Sequence, residues 1–162
     1  MNRSKEILIA IRKIIRAIDL QSKRLMSEAG LTGPQLLVMQ AVDQHGTPPS
    51  LGAIARRVSL SQATVTSIMG RLEAKGLVVR AKSAGDRRRV EVSLTEEGRA
   101  ALARAPNPLQ ASFVEAFEGL REWEQHQLIS SLERVANMMG ARDIEAAPVL
   151  ETDELAKDPS VG

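Results

Sequence analysis

Residues 59–76, SLSQATVTSIMGRLEAKG, constrain this chain more than any other stretch. Val65, Ile68, Met69 and Leu72 recur three and four residues apart, which sets them on one stripe of a helix that needs a neighbour to bury it. Ser61 predicts the N-cap and Gly76 the stop, with Lys75 in the last turn, where the helix dipole favours a cation. The outward side of the first turns then carries Ser61, Gln62, Thr64, Thr66 and Ser67, which are short hydroxyls and one amide. Such side chains suit a helix that enters a DNA major groove end-on, because longer ones hold the backbone off the bases. An ordinary surface helix with a polar face shows the same pattern, so the flanking sequence has to decide.

Upstream, Ser50 caps a short predicted helix, Leu51–Val58, with Leu51, Ile54, Ala55 and Val58 inward and Arg56 and Arg57 outward. Ser59 and Leu60 turn the chain into the next helix, and the small Ala55 lets the two helices approach, which together predict a helix-turn-helix. Downstream, residues 77–82 read as a strand, residues 83–88 as a turn and residues 89–94 as a returning strand in which Val90, Val92 and Leu94 alternate with polar neighbours. The tip of this hairpin gathers Asp86, Arg87, Arg88 and Arg89. Arginine at such a tip can enter a minor groove, where a narrow A·T tract deepens the negative potential. A solvated basic turn is the ordinary alternative.

The remaining segments are helical. Residues 4–29 carry Ile7, Leu8, Ile11, Ile14, Ile15, Ile18, Leu25 and Met26 at helical spacing and end at Gly30. A stripe that wide at a chain end requires cover, and we expect it from a second copy of the chain. Pro34 opens a second helix that runs to Gln44, and His45 follows in a loop with no neighbours suited to metal binding. Thr95 caps a helix reaching Ala105. Pro106 and Pro108 interrupt it, and Asn107 is expected to cap a restart with Pro108 as its first residue and 109–120 as its body. Residues 122–140 form a last helix, with Trp123 read as core and His126 as exposed. Periodicity is lost over residues 141–162, an acidic tail expected to be mostly disordered, with residues 147–150 a candidate docking segment.

Composition narrows the chemistry. Hydrophobic residues make up 43% of the 162 but aromatics only 2%, so the core must come from aliphatic side chains, as in packed helices. With no Cys there is no disulfide, thiolate zinc site or thiol redox sensor. The absence of a long apolar run and of a leader pattern predicts a cytoplasmic chain without membrane contact. Over residues 1–99, 17 basic side chains face 9 acidic ones, a net of +8, and over residues 100–162 the balance is −6. A basic working surface therefore belongs to the first part of the chain. No nucleophile–base pair, phosphate loop or metal cluster is present, so no cofactor and no enzyme activity are expected. A winged helix used for protein or RNA contact is the second rival, and short polar residues with wing arginines favour duplex DNA over it.

The set of motifs resembles the multiple-antibiotic-resistance regulator (MarR) family of transcription factors. Asp86, Arg88, Leu94 and Thr95 match its wing signature, Arg71, Leu72, Glu73, Gly76, Leu77 and Val78 its Arg-Leu-Glu-x-x-Gly-Leu-Val run, and Thr95 and Gly98 the opening of the next helix. Segments such as SLSQATVTSIMGRLE, RAPNPLQ and WEQHQLISSLERVANMM are further similar to the compatible-solute (ectoine-synthesis) regulators within that family. The resemblance implies a mainly α, α+β winged helix-turn-helix fold of five to seven helices and one β-hairpin wing. It implies an intertwined homodimer through residues 4–30 and 96–140, a DNA-binding lobe over 31–95, and a pseudo-palindromic operator on double-stranded DNA. Implied DNA contacts are Ser50, Ser61, Gln62, Thr64, Thr66, Ser67, Arg71, Arg87, Arg88 and Arg89, with Asp86 orienting Arg88. A repressor answering osmotic conditions follows from the narrower similarity. The broader one implies release by a small phenolic or xenobiotic effector bound among the first helix, the second helix and residues 106–117.

Overall fold

The computed structural model describes residues 2–44, 47–146 and 148–150. Seven helices and one hairpin follow in the order α1 (Arg3–Ala29), α2 (Gly33–Asp43), α3 (Leu51–Val58), α4 (Gln62–Ala74), β1 (Val78–Lys82), β2 (Val90–Leu94), α5 (Glu96–Arg104), α6 (Leu109–Glu118) and α7 (Glu122–Met138). The mainly α winged-helix architecture expected from the sequence is the one found. The chain divides into two compact units, Met1–Pro106 with Pro148–Gly162, and Asn107–Ala147.

The first unit is built around the stripe of α4. Val65, Met69 and Leu72 are completely buried and Ile68 nearly so, against Leu36, Val38 and Met39 of α2, Ile54 of α3, and Val78 and Val92 of the hairpin. Each of these helices starts on a side-chain cap. Thr32 and Gln35 form a reciprocal capping box on α2, Ser50 Oγ accepts from Ala53 N–H, Ser61 Oγ from Thr64 N–H, and Thr95 Oγ1 from Gly98 N–H. The ends are equally specified. Gly30 (φ 66°) stops α1 and Gly76 (φ 70°) stops α4, where the Leu77 N–H returns to the Leu72 carbonyl and both leucines are buried. Only the C-terminal turns of α1 join the core, through Ser22, Leu25 and Ala29, while Ile7, Leu8, Ile14 and Ile15 are exposed.

In the second unit, Phe113 and Phe117 stack with ring centroids 5.9 Å apart, and Gln125 Nε2 donates to the Phe117 and Leu120 carbonyls at 3.1 Å, tying α7 to the end of α6. Two expectations are corrected here. Pro108, not Asn107, occupies the cap position of α6, which has no side-chain cap and begins at Leu109, because the extended backbone at Pro108 (ψ 131°) lies outside the helix. Trp123 is not core: it is 60% exposed, and α7 buries no residue. A helical stripe is buried only by elements that cover it, and within this unit α6 is the one other helix. His126 is exposed as expected, with Nδ1 2.7 Å from the Glu122 carbonyl. His45 and the segment 151–162 of the acidic tail lie outside the described residues. Among the described residues no helix is long and apolar enough to cross a membrane.

Candidate nucleic-acid interface

Ser59, with φ 55°, adopts the left-handed conformation that ends α3 and turns the chain into α4. That turn leaves the N-terminal turns of α4 projecting, with Ser61, Gln62, Thr64, Thr66 and Ser67 all exposed. Their hydroxyls are not equivalent. Ser61 Oγ and Thr64 Oγ1 lie 2.8 Å apart, and Thr66 Oγ1 donates to the Gln62 carbonyl at 2.8 Å. Among the described residues the Gln62 amide and the Ser67 hydroxyl have no protein partner, which leaves their hydrogen-bonding capacity open to an outside group.

Ser50 is held differently from the other predicted contacts. Its hydroxyl caps α3 at 3.2 Å, its backbone pairs with Glu91, and the Pro49 carbonyl accepts from Val92 N–H at 3.1 Å. The strand-like segment before α3 thus extends the wing sheet, a pairing the sequence did not signal because it is too short to alternate. Ser50 positions α3 against the wing.

The wing is an antiparallel pair in the register Val78↔Leu94, Arg80↔Val92 and Lys82↔Val90. Arg89 lies in the turn, one residue before β2. Asp86 Oδ1 accepts from the Arg88 backbone N–H at 2.9 Å, and the Asp86 carbonyl from Arg89 N–H at 2.9 Å. The carboxylate thus fixes the turn that carries Arg88 through a backbone N–H. Among the described residues the side chains of Arg87, Arg88 and Arg89 make no ion pair, and none is bonded to the first turns of α4. Three exposed cations at one tip are a local concentration of positive charge suited to phosphates.

The helix α4 and the wing are clamped together. Glu73 of α4 and Arg80 of β1 form an ion pair, whose hydrogen bond holds the Glu73 carboxyl below the usual carboxylate range and raises Arg80. Thr95 Oγ1 donates to the Gly76 carbonyl at 2.7 Å while its N–H donates to the Leu77 carbonyl at 3.0 Å, so the end of β2 is stitched to the end of α4. Lys75 Nζ donates to the Gly30 carbonyl at 3.2 Å and to Gln35 Oε1 at 3.4 Å, linking the same end to the α1–α2 junction.

Beside the exposed polar side of α4 lies an open cleft of about 510 Å³ lined by Thr32, Pro34, Gln35, Ala63, Thr64, Ser67, Ile68 and Arg71. It brings Arg71 together with Thr64 and Ser67. Sequence reasoning missed Thr32 and Gln35 there, although Thr32-x-x-Gln35 is itself a capping-box signature.

The profile of the MarR family matches residues 29–89, which span the end of α1 through the wing tip. The chain is 31% identical over 93 residues to the HTH-type transcriptional repressor MdtR of Bacillus subtilis, covering 57% of this chain and 59% of that protein's length. It is 38% identical over 104 residues to the transcriptional regulator HosA of Escherichia coli, covering 64% of this chain and 76% of HosA. The structure is similar to that of the transcriptional regulator BldR from Sulfolobus solfataricus, with a TM-score of 0.52 and 28% identity over 84% of this chain and 96% of BldR.

Proposed function

Because the chain belongs to the MarR family of winged-helix transcriptional regulators, we propose that it represses transcription as a homodimer. Each copy offers one α4 and one wing to half of a pseudo-palindromic operator. The observation that carries this reading is the pairing of an exposed, short-side-chain helix start with an arginine tip, braced together by Glu73–Arg80 and Thr95.

Gln62, Thr64 and Ser67 read base edges, with Ser61 and Thr66 shaping the helix start. Arg71, Arg87, Arg88 and Arg89 meet phosphates or the minor groove. Ser50 and Asp86 position them. Residues 31–95 act as the DNA-binding lobe and residues 4–30 with 96–140 as the dimerisation region. One lobe alone binds duplex non-specifically at about 10⁻⁴–10⁻⁶ M. Two lobes spaced about one helical turn apart make the second contact intramolecular. A change in lobe spacing is then sufficient for release. Similarity of several segments to ectoine-synthesis regulators supports compatible-solute genes as targets.

The test is a titration of the duplex upstream of the chain's own gene at two salt concentrations. Arg88→Ala is expected to weaken binding and reduce the salt slope by about 1. Gln62→Ala is expected to relax sequence preference, at about 1–3 kcal/mol of discrimination, with the slope kept. Thr64→Ala is expected to act in the same direction. Wild-type titrations that do not distinguish the operator from random duplex overturn the assignment.

A further inference from the structure

The cleft between the start of α2 and the groove-facing side of α4 has a mixed lining. Pro34, Ala63 and Ile68 supply apolar surface, Thr64 and Ser67 hydroxyls, and Arg71 a cation. An occupant suited to it carries carboxylates beside an aliphatic side chain. The chain contains such a segment, Glu151-Thr152-Asp153-Glu154-Leu155, followed by Asp158. The residues leading into it, Pro148 and Leu150, each hold an electrostatic or hydrogen-bonding partner, and they group with the basic first unit. Leu155 lies five residues beyond Leu150, so the contacts of this segment lie within about 17 Å of extended chain from that residue. The charge is complementary as well: residues 151–158 hold four carboxylates and one lysine, against a lobe of net positive charge.

We propose that the acidic segment 151–158 of this chain docks in the α2–α4 cleft and competes there with DNA. Leu155 covers the apolar lining, and Glu151, Asp153 and Glu154 meet Arg71 and its surroundings. Thr64 and Ser67 line the same cleft, so the docked segment and a DNA groove exclude each other. The segment thereby suppresses weak, sequence-independent binding, which rests on phosphate charge, more than operator binding, which adds base contacts. The inference rests on the DNA-binding reading only for its second readout.

The test compares the full chain with a variant carrying Glu151→Gln, Asp153→Asn and Glu154→Gln. The absence of cysteine makes a single Ser67→Cys thiol a clean reporter in both. At low salt, alkylation of that thiol by neutral iodoacetamide is expected to be several-fold slower with the acidic segment than with the neutralised one. The difference is expected to vanish at high salt, where the Debye length shrinks to about 3 Å. Equal rates overturn the proposal whether or not the protein binds DNA. With the serine restored, the neutralised variant is expected to bind random duplex about tenfold more tightly than the unaltered chain, and unchanged affinity also overturns the proposal. A slowed thiol in a protein that binds no duplex leaves the docking in place and rejects the DNA-binding reading.

Discussion

A methyl group at position 98 would stand 2.0 Å from the Leu77 carbonyl oxygen. That oxygen cannot retreat cheaply, because it already accepts from the Thr95 N–H and sits where α4 gives way to the wing. The Thr-x-x-Gly pattern is thus a packing requirement: Thr95 caps α5 and ties it to Gly76, and Gly98 lets the α5 backbone lie on Leu77. Gly98→Ala is expected to destabilise the fold by about 2 kcal/mol, overpacking outweighing the gain in helix propensity. At Gly70, in the middle of α4, a methyl group would meet nothing within 4 Å, and Gly70→Ala is expected to stabilise by up to about 1 kcal/mol. Urea unfolding of both variants checks the pair, and the same sign of change in both refutes the argument.

At the scale of elements, the Glu73–Arg80 pair sets the direction of the wing relative to α4. Its side chains are about a third exposed, so solvent screening limits its worth to about 1 kcal/mol or less. The Glu73 carboxyl is held below its usual range in the fold, chiefly by the Arg80 hydrogen bond. Its stabilisation is therefore complete above the unfolded glutamate value and is lost as pH falls through the folded one. The stability gap between wild type and Glu73→Gln is expected to be present at neutral pH and to close below about pH 4. A gap that widens on acidification sinks this assignment. These elements were legible in the sequence to different degrees. Periodicity and caps located every helix and the hairpin, because Ser50, Ser61, Thr95, Gly30 and Gly76 act locally. The Glu73–Arg80 clamp, the Lys75 link to Gly30 and the pairing of Ser50 with Glu91 were not legible, since each depends on residues brought together only by the turn of the chain. Asn107 misled for the converse reason: its type favours a cap, but Pro108 holds the backbone extended one residue further.

For the molecule as a whole, the unexplained feature is apolar surface. The N-terminal half of α1 exposes Ile7, Leu8, Ile9, Ile14 and Ile15, and α7 exposes Trp123, Leu128, Ile129 and Leu132. Isolated exposed side chains are ordinary, but contiguous helical stripes mark an interface. Sequence periodicity placed these residues on shared helical faces, but Trp123, read as core, is exposed, because spacing shows which side chains share a face and not what covers it. As the sole tryptophan, Trp123 reports the difference directly. If two copies cover these faces, its emission at micromolar concentration is blue-shifted. The emission then moves to the red on dilution in step with dissociation followed by sedimentation. Leu128→Asp with Leu132→Asp is expected to give a monomer with red-shifted emission and intact far-ultraviolet circular dichroism. That monomer should retain only the weak, salt-sensitive DNA binding of a single lobe, at least about a hundredfold below the dimer on a full operator if avidity supplies the gain. A red-shifted tryptophan in a wild-type protein that sediments as a monomer would remove the second lobe, and with it the palindromic mode of recognition.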